Sequence, residues 1–264
     1  MNDTLKKQGT ATPCMATRMI DNFPDVDDPS YEEAYTIAQD CSGQVYGAAS
    51  DTSFSTGIAF FLVLAMYPEV QKRAQKEIDE VVGFGRLPDF NDRPQLVYVE
   101  ALIMEILRWH QPAPLGIAHA TSEDDVYEGY FIPEGTVVIG NVWHILHDPE
   151  TYPDPFDFNP DRFIKDGTID QNVTDPSAAA FGFGRRICPG RFVALNNLYA
   201  LVVSTLSMFD VSVPKDKNGN PDIRPSFNIG LMRHPDPFEC SITPRSDRHK
   251  ELIQNMLASE LPSA

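Results

Sequence analysis

The ten residues Phe181-Gly182-Phe183-Gly184-Arg185-Arg186-Ile187-Cys188-Pro189-Gly190 constrain this chain more than any other stretch, because they set one cysteine in a glycine-lined turn that opens onto a helix. Gly184 and Gly190 permit backbone conformations and close approaches that a side chain would forbid. Pro189 suits the first position of a helix, where its missing N–H costs nothing. The spacing therefore predicts Cys188 at a helix N-terminus. There, unpaired N–H groups and the positive end of the helix macrodipole favour S⁻, the form of cysteine that binds metal. The plainer alternative is a buried structural cysteine in a Gly/Pro loop. Against it, each fixed residue type in the loop has its own physical task, including the arginine two residues before the sulfur.

A chain of 264 residues can bury a substantial core. Lys+Arg 21 against Asp+Glu 38 gives a net charge of -17, which excludes a nucleic acid or an anionic membrane surface as the main partner. Arg185, Arg186 and Arg191 still form a local basic group around the cysteine, suited either to an acidic electron donor or to plain solvation. The four cysteines, Cys14, Cys41, Cys188 and Cys240, contain no CxxC pair, so neither a zinc site nor a disulfide framework is suggested and a reducing compartment fits best. The stretch Met1 to Lys7 leads into polar residues, with no apolar region of the kind a secretory signal has. The longest apolar run, Ile58 to Met66, is about half of what a bilayer span needs, so the expectation is a chain that does not cross a membrane.

Periodicity predicts a loop-rich segment over residues 1–30 ending in a cap at Ser30, then one long helix from Tyr31 to Met66, apolar in its second half and therefore surrounded by protein. An amphipathic helix follows from Pro68 to Val82, stopped by Gly83, and a third runs from about Pro94 to His110. Residues 116–120, 126–132 and 136–139 then read as short strands, the last two joined by a Pro133-Glu134-Gly135 turn. Residues 147–163, dense in Pro, Asp and Phe, read as an ordered meander. A last buried helix is expected from Pro189 to Phe209, then a closing sheet pairing residues 211–213 with 238–242, with a turn at residues 217–220. Residues 31–254 form one domain on this reading, and 255–264 a frayed tail. The fold class is mainly α with small β-sheets.

Glu105 and Arg108 lie three apart on one helix face, a spacing at which a carboxylate and a guanidinium can meet. A surface pair of this kind contributes under about 1 kcal/mol. Arg162, in Asn159-Pro160-Asp161-Arg162-Phe163, gives the pair its interest, since a carboxylate between two arginines can anchor an irregular meander to a helix. In the long helix, Ser50-Asp51-Thr52-Ser53 sets an acid beside an alcohol; read locally, such hydroxyls bond back to a carbonyl one turn earlier and bend the helix.

The order F-x-x-G-x-R-x-C-x-G resembles the cysteine-ligand loop of cytochromes P450, and Glu105-x-x-Arg108 with the Pro-x-Arg162-Phe element resembles two further elements of that family in the same order. The likeness is greatest to microsomal fungal enzymes, runs from about residue 30 onwards and corresponds to the C-terminal half of a full-length member. It implies heme b (iron protoporphyrin IX) with Cys188 as axial ligand, a ligation that pushes electron density towards O–O cleavage. It further implies that Phe181 packs near the sulfur, Gly184 and Gly190 shape the loop, and Arg186 with His119 bind the propionates. Glu105, Arg108 and Arg162 would hold the fold. Asp51 and Thr52 would deliver protons during oxygen activation, with Ala49 departing from the family's usual glycine. Residues 141–149, around Asn141, Trp143 and His147, resemble another family segment with a structural role. Residues 112–117 and 228–232 fall where members line the substrate pocket, and both are apolar here.

The implied activity is that of a monooxygenase inserting one atom of O₂ into a lipophilic organic substrate, in the manner of secondary metabolism, with electrons from NADPH-cytochrome P450 reductase. Intact members work on the cytoplasmic side of the endoplasmic reticulum. This chain, without the anchor, the early helices that touch the propionates or the lid of the pocket, would be cytoplasmic. The rival reading is a silent fragment that holds no haem. A cysteine hydrolase is disfavoured, because no His and Asn/Asp pair is placed to suggest a triad.

Overall fold

The computed structural model describes residues 9–219, 221–228 and 230–260. Expectations that concern residues 1–8, Asn220, Ile229 or 261–264 lie outside them. The chain divides after Asp51 into two compact units.

The first unit holds a short helix, α1 (Met15–Asp21), in a segment expected to be loop. Its start is held reciprocally: Cys14 N–H donates to Thr17 Oγ1 at 2.8 Å, and that hydroxyl donates to the Cys14 carbonyl at 2.8 Å. The long helix α2 (Tyr31–Met66) begins where its acidic first turn predicts. Ser30 does not cap it by side chain, since its hydroxyl donates to Asp28 Oδ1 at 2.6 Å. Phe23, Tyr31 and Tyr35 pack as a ring cluster, with centroids 5.8 to 6.4 Å apart.

In the second unit, the end of α2 is buried as expected of an apolar helix: Ala59, Phe60, Leu62, Val63 and Leu64 are at most 2% exposed. Helix α3 (Pro68–Val81) has Pro68 at its start and turns one face inward through Val70, Ala74 and Ile78. Its Glu77 accepts from the backbone N–H groups of Tyr98 and Val99 at 2.7 and 2.9 Å, which satisfies the otherwise unpaired first turn of α4 (Val97–Trp109). Helix α4 is buried almost throughout, from Tyr98 to Trp109, and the core gathers about it with α2, α3 and α7 (Arg191–Met208). A 3₁₀ turn, Arg93–Gln95, occupies what the sequence suggests as its first turn.

Among the described residues four antiparallel strand pairs accompany the helices, two of them hairpins. Strand β1 (His119–Ala120) pairs with β4 (Val137–Val138), His119 opposite Val138. Between them β2 (Asp125–Tyr127) and β3 (Tyr130–Ile132) form a hairpin of their own. Residues 126–132 are therefore not one strand. Glu128 and Gly129 both have positive φ, 48° and 85°, which is the primed turn that matches strand twist, and the Glu-Gly pair is a weaker sequence signal for it than Asn-Gly. The Pro133–Gly135 turn is present but leads to β4, which pairs with β1 instead of β3.

Two minor strands, β5 (Ile164–Lys165) and β6 (Thr168–Ile169), follow the meander. Short helices α5 (Val142–Leu146) and α6 (Ser177–Ala180) pack a second, smaller core with Tyr152 and Phe163. The closing sheet pairs β7 (Phe209–Ser212) with β8 (Ser241–Pro244), further along the second strand than hydrophobicity suggested. Gln71 locks β7 to α3, donating to the Val211 carbonyl at 3.0 Å and accepting from its N–H at 2.7 Å. A final helix, α8 (Asp247–Glu260), occupies the start of the segment expected to fray; Arg245 just before it pairs with Asp79 of α3, and Arg248 lies over the Phe84 ring.

Two buried histidines make this core sensitive to acid. Burial pushes His110 down to about 3 and His147 down to about 4, both below the ordinary 6.5. The unfolded chain takes up protons that the folded one refuses, so their contribution is complete above about 6.5 and is lost as pH falls through this window. We expect the thermal midpoint, followed by circular dichroism, to drop steadily from pH 6.5 to 4.5. The double variant His110→Gln, His147→Gln should be less stable at pH 7 and have a flatter profile across that interval.

Candidate functional site

Glu105 sits on α4 with its side chain fully buried, and the structure brings Arg108 and Arg162 to it. Arg108 binds it in a fork, Nε to Oε2 at 2.7 Å and Nη2 to Oε1 at 2.8 Å. Arg162 reaches both oxygens from Nε at 3.1 Å, and the Asn159 N–H adds a third donor at 2.8 Å. The remaining guanidinium protons go to the meander: Arg108 to the carbonyls of Leu146, Pro155 and Asp157, Arg162 to those of Pro153, Asp154 and Asp157. Irregular backbone that cannot pair with itself thus finds donors, and Asp154 is held at φ 50°.

The cysteine loop follows this frame. Phe181 ends α6 and packs on the main core. Gly182 and Gly184 have φ of 77° and 61°, the left-handed region that glycine enters freely. The loop closes where the Cys188 N–H donates to the Phe181 carbonyl at 2.8 Å. Cys188 is half-buried, while Arg185 and Arg186 are exposed.

Two expectations about this loop need correction. Helix α7 begins at Arg191 with Gly190 as its N-cap, so Pro189 lies ahead of the cap and is not the first helical residue. Cys188 meets the helix start through its carbonyl, which accepts from the Arg191 N–H at 3.4 Å and from Arg191 Nη1 at 3.3 Å. Gly190 has φ -85°, and a methyl there would sit 3.8 Å from Cys188 Sγ, an ordinary contact. Its missing side chain leaves the sulfur uncovered on that side.

Around the loop, apolar side chains face outwards. Phe183 is 48% exposed, and Phe192 and Val193 on the first turn of α7 are each 63% exposed. The β4 end meets the loop: a methyl on Gly140 would come within 3.1 Å of Phe183 Cε2. His119 on β1 is exposed and pairs with Val138, two residues before Gly140. On α2, Thr52 is half-buried and its carbonyl accepts from Thr56 Oγ1 at 2.9 Å, the back-bonding that serine and threonine favour in helices. Asp51 and Ala49 are exposed. Among the described residues no three His, Cys, Asp or Glu side chains gather as a metal site. A half-buried thiol with exposed arginine and aromatic side chains beside it in the loop fits an apolar, dianionic cofactor that supplies its own metal.

Sequence reasoning missed a buried polar group beneath the 112–117 stretch. Ser55 Oγ donates to the Arg233 carbonyl at 2.6 Å and lies 2.8 Å from His110 Nε2. No local signal reveals it, because its members are far apart along the chain. His147 was singled out with Trp143 as structural; the two rings stack at 4.6 Å, and His147 Nδ1 lies 2.9 Å from the Trp143 carbonyl.

A mainly helical frame with small hairpins, a doubly paired buried carboxylate and a glycine-framed thiol together define one class of protein. The cytochrome P450 family profile matches residues 29–242. The chain belongs to that family. It is 47% identical to cytochrome P450 monooxygenase COX2 of Coprinopsis cinerea over 258 residues, which cover 97% of this chain and 49% of that protein. It is 42% identical to COX1 of the same fungus, covering 92% and 47%, and 42% identical to claR of Ampulloclitocybe clavipes, covering 93% and 45%. The chain spans about half the length of the curated relatives it matches.

Removing the shared carboxylate should be the most damaging single change in this frame. Glu105→Leu leaves two shielded guanidinium groups without an anion, and we expect a loss of about 3–5 kcal/mol in urea unfolding. Arg162→Lys should cost less, roughly 1–2 kcal/mol, because an ammonium keeps the charge and loses the fork.

Proposed function

We propose that this chain carries the thiolate side of a haem monooxygenase, whose reaction places one atom of O₂ in an apolar organic substrate while the other leaves as water with two protons and two electrons. The observation that carries the reading is the Cys188 loop: a half-buried sulfur held by a backbone hydrogen bond, uncovered by Gly190 and flanked by outward apolar side chains. The bound haem would supply oxygen activation. The chain's own residues hold and shield it. Cys188 Sγ would hold the haem iron, Phe181 and Phe183 would keep water from the sulfur, and Arg186 and His119 would offer charge and hydrogen bonds to the propionates. Gly184 lets the loop turn beneath the ring. Asp51 and Thr52 would hold and pass protons, Asp51 by exchange with solvent and Thr52 by its hydroxyl. Electrons would come from an NADPH-dependent flavoprotein reductase at the cytoplasmic face of the endoplasmic reticulum, meeting the positive group Arg185, Arg186 and Arg191.

A second reading rests on a specific observation. Phe54, Leu115, Ile117, Phe192 and Leu231 are each at least 50% exposed, so this chain presents much apolar surface. A chain in that state could hold haem poorly and turn nothing over. One measurement separates the two. Reduced protein reconstituted with haemin and exposed to CO should show the red-shifted Soret band of thiolate ligation, and Cys188→Ala should abolish it. The absence of any such band in the parent chain would favour the silent reading.

A further inference from the structure

Arg73, Arg86, Arg93, Arg108, Arg162 and Arg245 each meet a carboxylate. Arg233 has no ion-pair partner among the described residues, and its Nη1 is buried without a hydrogen bond. Its guanidinium carbon lies 3.8 Å from the centre of the Phe227 ring, a contact that offsets only part of the cost of shielding a cation. Scarcity of acids is not the reason, since the chain has 38 Asp+Glu against 21 Lys+Arg. His110 and Gln111 nearby also have buried unpartnered atoms, Nδ1 and Oε1, but neither carries a negative charge.

The backbone at Arg233 is pinned. Its N–H donates to the Pro112 carbonyl at 2.7 Å and its carbonyl accepts from Ser55 Oγ at 2.6 Å, with His110 behind the same hydroxyl. Those bonds join the start of residues 112–117 to the end of residues 228–232. Apolar side chains on either side of that junction are exposed, Leu115 at 50%, Ile117 at 67% and Leu231 at 72%. The Arg233 backbone thus joins the two stretches, and its guanidinium, lying over Phe227, keeps Nη1 buried without a partner.

We propose that Arg233 binds the carboxylate of an otherwise apolar small molecule lodged between residues 112–117 and 230–232. This rests on reading those stretches as walls of the substrate pocket. The carboxylate can come from the substrate or from a porphyrin propionate, and the chemistry of recognition is the same.

The test uses the full chain with Trp143→Phe, so that fluorescence reports Trp109, whose ring meets Phe227 edge-on at 5.7 Å. Dodecanoate and methyl dodecanoate are titrated without haem, then haemin and its dimethyl ester. In one of the two pairs the acid should bind about tenfold tighter than the ester, equivalent to about 1.4 kcal/mol. Arg233→Gln should erase that preference in the dodecanoate pair, or cut it in the haemin pair to what Arg186 and His119 supply, and leave ester binding unchanged, while Arg233→Lys keeps part of it. Loss of preference in the dodecanoate pair assigns the substrate as the source, and loss in the haemin pair assigns the propionate. If Arg233→Gln does not fold, the preference in the parent chain must weaken with rising salt. Equal binding of acid and ester in both pairs, or a preference that Arg233→Gln leaves unchanged, overturns the proposal. A missing CO band with the acid preference intact would instead count against the monooxygenase reading alone.

Discussion

The Glu105 carboxylate is the constraint on which the second unit depends. Removing a charge from water is costly, and the cost is met only where every lone pair and every N–H finds a partner. Glu105 takes two guanidinium groups and one backbone N–H, and the two arginines spend their spare protons on carbonyls of a segment without regular structure. The meander is thereby written into the helix: its path is fixed by which carbonyls reach the planar donors. The strands β5 and β6 and helix α6 follow that path, and the cysteine loop begins where α6 ends at Phe181.

How much of this was legible differs by element, for physical reasons. Helix α2 could be bounded at Tyr31 and Met66 because acidic residues open it and Pro68 follows its end. The Glu105–Arg108 pair was legible because three-residue spacing fixes proximity on a helix. Arg162 was legible only through the family resemblance, since nothing local shows what a loop arginine faces. The hairpin at Glu128–Gly129 was hidden because an apolar run of residues 126–132 reads the same whether it continues or doubles back. Helix α1 and the full length of α8 were missed because polar, weakly amphipathic stretches gain their order from local caps and from docking contacts such as Arg248 on Phe84.

The loop shows how a motif can be read correctly in composition and wrongly in detail. Proline and glycine next to a cysteine suggested a thiol at the first turn of a helix. The helix instead starts at Arg191, and the residue between, Gly190, adopts an ordinary φ. What the glycine provides is space beside the sulfur, not a backbone conformation available to no other residue. The left-handed turns belong to Gly182 and Gly184, whose φ values a side chain would strain. Two glycines in one motif thus do different work.

Burial and exposure are distributed along α7 and α2 in a way that bears on how such a chain holds its site. From Leu198 to Met208 α7 is largely buried, yet Phe192 and Val193 are exposed; α2 is buried from Ala59 to Ala65, yet Phe54 is 64% exposed. In each helix the part that packs on the core is continuous, and the part that does not carries large apolar side chains. Side chains of that kind gain from burial at about 25 cal/mol per Å², so they mark surfaces whose natural contact is apolar. A flat cofactor edge and an apolar substrate both meet that description. Arg233, whose backbone is held by Ser55 of α2 and by Pro112, brings a cation close to the apolar end of α2.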